Sequence, residues 1–323
     1  MNLPDVCFFE AFEEEAAALR RYLPPDVRAD FTAKTIQEAG PRTPPARIIS
    51  IRTQSLIPPG WAAAVGGILS RSTGFDHLTA YREATGVAMP CGYLPLYCAR
   101  AVAEQALLLW LGLLRRLPLQ LRQFQEFHRD GLTGRECDAK TLLVVGVGNI
   151  GHEVARVATG VGMRVLGVDL VRKWPEIDYV RIEEGIRQAD VIVSAMNLTS
   201  LNRGYFNREL LAKVRRGTLF VNISRGELAM VSDLLELLDD GHLGGVGLDV
   251  YDAEPELAVS LRTGQPSANP TVQATLELAR RPDVICTPHN AFNTAESVDR
   301  KAEQSVQQVR QFLATGTFLW PIP

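Results

Sequence analysis

Three polar side chains, Arg225, Glu254 and His289, each close an apolar run: TLFVNIS leads into Arg225, GVGLDVYDA into Glu254 and VICTP into His289. A guanidinium, a carboxylate and an imidazole are what hydride transfer to a 2-oxo acid requires. The cation grips the substrate carboxylate, the imidazolium protonates the carbonyl oxygen, and the anion keeps that donor protonated. Singly, each residue has a plainer reading: a lone Arg is usually solvated, a Glu before Pro255 is a common turn residue, and a lone His more often sits in a core or on a surface. The set carries the weight, because strand ends are where a doubly wound sheet places its ligands.

A second pattern supplies the redox partner. Gly146, Gly148 and Gly151 form G-x-G-x-x-G between the apolar run LLVVGV and an amphipathic stretch, and Asp169 ends the next apolar run 18 residues after Gly151. The spacing is weak alone. In a strand–turn–helix context it predicts a dinucleotide whose pyrophosphate rests on a helix N-terminus and whose ribose hydroxyls meet the acid. Asp169 would repel a 2′-phosphate, which favours NAD over NADP, although Arg172 and Lys173 stand close enough to temper that preference.

These residues need a scaffold. From Lys140 onward, TLLVVGVG, MRVLGVDL, ADVIVSAM, TLFVNIS and GGVGLDV alternate with helical segments, which predicts a parallel sheet covered on both faces. Before residue 98, VCFF and RIISI read as strands and EEEAAALRRYL as a helix, giving a smaller α/β unit; ESVDRKAEQSVQQVRQFLATG closes the chain as one amphipathic helix. The fold class expected is α/β, a Rossmann-type doubly wound parallel sheet inserted into a smaller flavodoxin-like α/β domain.

Composition narrows the partners. Across 323 residues, 34 Lys+Arg against 37 Asp+Glu leave a net charge of −3, so neither nucleic acid nor an anionic membrane is an expected partner. The five cysteines show neither C-x-x-C nor zinc spacing, which points to a reduced compartment and no metal. Acidic residues from Glu10 to Glu15 argue against a secretory leader, and the cytoplasm is the expected location. The apolar run from Ala106 to Leu114 is nine residues, too short for a span that needs about 20. It reads as a helix buried on most of its circumference.

GVGNIG (146–151) with Asp169, VNISRG (221–226), GGVGLDVYDAEP (244–255) and TPHNAF (287–292) together resemble the D-isomer-specific 2-hydroxyacid dehydrogenases over nearly the full length. The resemblance implies that Arg225 binds the substrate carboxylate, that His289 is the acid/base and that Glu254 pairs with His289. It also implies that Asp249 lies near the nicotinamide carboxamide and that Asn149, Ile150, Asn202, Ile223 and Ser224 touch the dinucleotide. It places backbone N–H groups of Thr73 and Gly74 at the substrate carboxylate. YLPLYCARAVAEQ (93–105) and HNAF resemble the D-lactate dehydrogenase branch, with Tyr97 and Phe292 against the substrate, an arrangement suited to a small or hydrophobic 2-oxo acid. Core packing is the plainer reading of both aromatics.

The implied layout is a substrate-binding domain of residues 1–98 and 294–323, a dinucleotide domain of residues 99–293, closure of one on the other, and a homodimer interface on the Ala101–Leu117 helix. Asn197 stands where the family commonly has Pro, and the stretch 256–286 is long for the family at large; the first bears on the cofactor edge, the second on the mouth of the cleft. Two other activities fit the same residues: a glyoxylate or hydroxypyruvate reductase, and an NAD-sensing corepressor that binds without turnover.

Overall fold

The computed structural model describes residues 3–323, which separate into two compact units. One runs up to Cys98 and resumes with Asn293–Pro323; the other is Ala99–Phe292.

The first unit is built on five short parallel strands, β1 (Val6–Phe8), β2 (Ala29–Phe31), β3 (Ile48–Ile51), β4 (Gly67–Ser70) and β5 (Cys91–Gly92), in the order β2-β1-β3-β4-β5. That is the flavodoxin-like order. The residues of β1, β3 and β4 are buried on both faces, so their sequence is a continuous rather than alternating apolar run. The helix Ala295–Thr315 starts at Thr294, whose side chain accepts the Ser297 N–H, and ends at Gly316 with φ +78. It packs on the helix Glu13–Tyr22 and buries Val298, Ala302, Val306, Val309 and Phe312, spaced at helical intervals. The chain end covers the β5 edge, where the Tyr93 N–H donates to Trp320 O and the Ile322 N–H to Cys91 O.

Inside this unit lies a charged cluster. Arg71, buried, donates to Glu15 Oε1 (2.8 Å), Ser50 Oγ (2.9 Å) and the Phe9 carbonyl (2.6 Å). Lys301 Nζ reaches the same Glu15 oxygen at 2.9 Å, with both side chains fully buried. Removing one member of such a buried set strands the others and costs about 3–5 kcal/mol.

The second unit carries seven parallel strands, β6 (Thr141–Val145), β7 (Arg164–Val168), β8 (Asp178–Tyr179), β9 (Val191–Ser194), β10 (Thr218–Asn222), β11 (Leu243–Leu248) and β12 (Val284–Cys286), ordered β12-β11-β10-β9-β6-β7-β8. The order reverses between β6 and β9, which opens a crevice at the C-terminal strand edge. The helix Ala99–Leu114 buries Leu109, Trp110, Leu113 and Leu114 and packs on the helix Asn149–Gly160, while Leu108 and Leu111 stay exposed. The polar, Pro-containing stretch 256–286 holds most of two helices, Glu254–Thr263 and Pro270–Leu278, each with Pro in its first turn, where a missing N–H costs nothing. No helix of the described residues is long and apolar enough to cross a membrane, and no three His, Cys, Asp or Glu side chains among them gather as metal ligands.

Candidate active site

Every functional residue expected in the second unit leaves the C-terminal edge of its sheet. β6 runs into the glycine turn. Gly146 has φ +92, and a Cβ there would stand 2.6 Å from the Met196 backbone; a Cβ on Gly151 would fall 1.9 Å from the Gly146 carbonyl oxygen. Around Gly148, by contrast, a Cβ would meet nothing within 4 Å. Two glycines therefore let the backbone fold tightly, and the third leaves open room beside the first turn of the helix that begins at Asn149, as an anionic pyrophosphate requires.

Asp169, half-buried just past β7, holds this turn directly: its Oδ2 accepts the Val147 N–H at 2.5 Å and its Oδ1 the Val171 N–H at 3.0 Å. Lys173 donates to Asn149 Oδ1 (3.2 Å), and Arg172 lies 6.0 Å from the Tyr179 ring centre. Trp174 closes the flank, its indole donating to Val147 O (3.1 Å) and its ring stacked on His152 at 3.8 Å. Past β9, Asn202 ties its own loop together by accepting the Thr199 N–H and donating to the Asn197 carbonyl. Ile150 is half-buried in the first turn of the helix, between Gly148 and Gly151, and Ile223 is buried just past β10.

The chemical side comes from β10, β11 and β12, three adjacent strands. Ser224 bonds Ser194 Oγ (2.8 Å) and Asn222 Oδ1 (2.9 Å), fixing the turn from which Arg225 projects half-buried. After β11, Asp249 is buried and its oxygens accept the Thr287 hydroxyl (2.5 Å) and the N–H groups of Asn290 (2.9 Å) and Ala291 (2.8 Å). Burial pushes its carboxyl up, against those hydrogen bonds. Asp249 thus grips both sides of His289 in the chain. His289 itself has φ +50, and its Nδ1 lies 2.8 and 2.9 Å from the two oxygens of Glu254. Glu254 opens its helix after Ala253, whose φ is +55. Two non-glycine residues in the left-handed region flank one side-chain pair, and such strain of about 1–3 kcal/mol each persists only where the surroundings enforce it.

A dinucleotide turn and an imidazole–carboxylate pair on one strand edge match a known pattern over the whole unit: the description "D-isomer specific 2-hydroxyacid dehydrogenase, NAD binding domain" fits residues 107–291. The chain belongs to the D-isomer-specific 2-hydroxyacid dehydrogenase family. It is an NAD-dependent oxidoreductase acting between 2-oxo and 2-hydroxy acids.

Among its relatives, the D-lactate dehydrogenase of Streptococcus agalactiae is 31% identical over 232 residues, 69% of each chain. An aromatic 2-oxoacid reductase of Clostridium sporogenes is 31% identical over 230 residues, also 69% of each. The crystal structure of D-lactate dehydrogenase from Aquifex aeolicus, complexed with NAD and lactic acid, superposes with a TM-score of 0.84 at 25% identity, covering 98% of this chain and 99% of that one.

In this dehydrogenase, the remaining expected residues fall as follows. Thr73 and Gly74 follow β4 in the first unit; Thr73 Oγ1 donates to Leu94 O (3.1 Å), and the Ser72 hydroxyl donates to Gly74 O (2.7 Å). Tyr97 is buried there, its carbonyl accepting from Arg300 Nε at 2.9 Å, and burial pushes its hydroxyl well up, so it stays a phenol. Phe292 is buried in the second unit.

Two residues that motif spacing did not single out help to shape these turns. A Cβ on Gly226 would sit 1.9 Å from the Tyr251 carbonyl carbon, so only glycine lets the β10 and β11 tails touch. Thr287, which also accepts from Gln105 Nε2 (3.2 Å), anchors the His289 turn. Both lie inside quoted motifs, VNISRG and TPHNAF, where a small residue and a hydroxyl are the only signals.

Proposed function

We propose that this enzyme reduces a 2-oxo acid to the D-2-hydroxy acid, with His289 as the acid/base, Arg225 as the anchor of the substrate carboxylate and Glu254 as the partner of His289. The observation that carries this reading is the pair of short contacts from one imidazole nitrogen to both Glu254 oxygens. With Nδ1 committed to the carboxylate, Nε2 is left to hand a proton to the forming alkoxide, and the same nitrogen takes it back in oxidation. The carboxylate holds the imidazole in the orientation that this transfer needs. Arg225 offers a planar fork of donors that both binds a carboxylate and orients the neighbouring carbonyl. The bound dinucleotide supplies or receives the hydride. Gly146, Gly148, Asn149, Ile150 and Gly151 cradle its phosphates, Asp169 takes the adenosine ribose and favours NAD over NADP, and Asn202, Ile223, Ser224 and Asp249 line the rest of its path. Thr73 and Gly74 offer N–H groups to the substrate carboxylate, while Tyr97 and Phe292 supply its apolar surroundings.

In this reading the first unit is the substrate-binding domain, the second the dinucleotide domain, and the working molecule a cytoplasmic homodimer joined through the Ala99–Leu114 helix. The test is a panel of pyruvate, phenylpyruvate, 2-oxoisocaproate, glyoxylate and hydroxypyruvate with NADH and with NADPH, read at 340 nm. Turnover with NADH on at least one acid, giving the D product, is expected; no turnover on any acid would end the proposal. A preference for glyoxylate and hydroxypyruvate would move the enzyme to the reductase branch. Sedimentation of the purified protein as a monomer would remove the dimer.

A further inference from the structure

Two hydroxyls and an imidazole form a chain of hydrogen bonds beneath the loop that follows β4. Ser70 Oγ lies 2.6 Å from Ser72 Oγ and 3.1 Å from His77 Nε2, and the Ser72 hydroxyl donates to the Gly74 carbonyl at 2.7 Å. Ser70 and Ser72 are buried and His77 is half-buried. Buried hydroxyls keep such partners because no water stands by to replace them.

The direction of every bond follows from one carbonyl. Gly74 O can only accept, so the single Ser72 proton points to it. Ser72 Oγ therefore accepts from Ser70, and Ser70, with its own proton committed, accepts in turn from His77. This puts a proton on His77 Nε2. The chain runs one way, from the imidazole N–H through two serines to the loop carbonyl.

Both ends of the chain are anchored. His77 is the second residue of the helix Asp76–Thr85, which buries Leu78 and Tyr81 and is tied down by the Tyr81 hydroxyl, donating to Pro58 O at 2.9 Å. Ser70 is the last residue of β4. In the loop between them, the Leu94 N–H donates to Ser72 O (3.0 Å) and the Thr73 hydroxyl to Leu94 O (3.1 Å). Among the described residues no acceptor meets the Thr73 or Gly74 N–H, so the loop is braced through its carbonyls and hydroxyls while these two donors are not used by the fold.

We propose that His77 is a positioning residue for the 2-oxo acid: by committing the Ser70 proton to Ser72 and the Ser72 proton to Gly74 O, it holds the turn that presents the Thr73 and Gly74 N–H groups to the substrate carboxylate. The proposal rests on the dehydrogenase reading above, in which those N–H groups bind substrate, and names the residue that sets them. His77 acts through the two serines and not on the reacting atoms. Without its N–H, the Ser70 oxygen is open to the Ser72 proton, the two hydroxyls can reverse, and the Gly74 carbonyl is released. A turn free to rotate must be ordered again by each substrate, which costs affinity.

The experiment measures KM and kcat with NADH and whichever acid of the panel the wild-type enzyme reduces fastest. His77→Leu should raise KM by roughly 3- to 10-fold, the worth of one hydrogen bond, and leave kcat and NADH affinity within about twofold. His77→Gln, which still offers an N–H, should recover most of the loss. Ser72→Ala should raise KM by a similar factor, and the two substitutions together should do no more than either alone, since both cut one chain. Thermal melts show which variants fold, and Ser72→Ala reads the same chain if His77→Leu does not fold. A KM unmoved by either substitution, factors that multiply in the double variant, or no recovery in His77→Gln would overturn the proposal, while wild-type turnover keeps the dehydrogenase reading standing. No turnover by the wild type on any acid of the panel removes both.

Discussion

Glu254 turns both carboxylate oxygens toward a single nitrogen of His289, Nδ1, at 2.8 and 2.9 Å. The imidazole is held in one orientation and one tautomer, with Nδ1–H pointing into the protein. His289→Ala should lower kcat by about 10²–10⁴-fold while NADH still binds, as read by fluorescence titration. Glu254→Gln should keep the fold and reduce turnover by a smaller factor. Full NADH binding lost with turnover unchanged would contradict the assignment.

Asp169 has two jobs in this geometry, because the oxygens proposed to meet the ribose also hold the Val147 and Val171 N–H groups. Asp169→Ala should therefore narrow the preference for NADH over NADPH and also loosen the glycine turn, at about 1–3 kcal/mol for the unsatisfied donors. Steady-state kinetics with both cofactors and a urea melt read the two effects separately. Equal use of the two cofactors by the unmodified enzyme would show that Arg172 and Lys173 outweigh the acid.

Gly226 allows the β10 and β11 tails to meet, with a Cβ position 1.9 Å from the Tyr251 carbonyl carbon. Backbone cannot rotate away as a side chain can, so Gly226→Ala should cost about 1–3 kcal/mol and shift Arg225 with it. The expected outcome is a lower melting temperature together with a raised KM for the 2-oxo acid. A melt and KM both equal to wild type would refute the close approach.

The buried cluster of the first unit gives a pH signature. Burial lowers Lys301 from its usual 10.5 to about 7, with the pull of Glu15 opposing that shift only in part. Between those two values the unfolded chain binds more protons at this lysine than the folded one, so its contribution to stability rises with pH from about 7 toward 10.5. Lys301→Met should flatten this rise. Urea melts at pH 7 and pH 9.5 on both proteins measure it, and an identical pH dependence would show that Lys301 is protonated alike in both states. Glu15 is lowered too, but in the acid range: Arg71 and Lys301 overcome its burial and hold it near 2, so the stability it contributes is lost as pH falls below its usual 4.5.

Much of this was legible from the chain. The buried strands β6, β9 and β10 announce themselves as continuous apolar runs, and Gly146 and Gly151 make the tight turn that their spacing implies, while the bond from the Val147 N–H to Asp169 had no signal in the sequence. Short strands such as β2, β5 and β8 carry no such signal, because two or three residues paired to a neighbour leave no period to read. The stretch 256–286 read as polar and Pro-rich, yet proline in a first helical turn is compatible with a helix. The resemblance places Asp249 near the cofactor, and its hydrogen bonds to Thr287, Asn290 and Ala291, which clamp the His289 turn, had no signal in the sequence. Glu15, Arg71 and Lys301 were invisible as a group, since each is an ordinary charged residue until the fold joins three distant segments.

That junction also orders events in time. Glu15 and Arg71 leave the ribosome long before Lys301, which arrives on the helix Ala295–Thr315. A nascent chain can complete the dinucleotide unit from contiguous sequence, as domains fold during synthesis, but the other unit must wait with its interior charge unfinished until this helix emerges. An enzyme assembled this way can finish its NAD-binding unit while the interior of its other unit is still open.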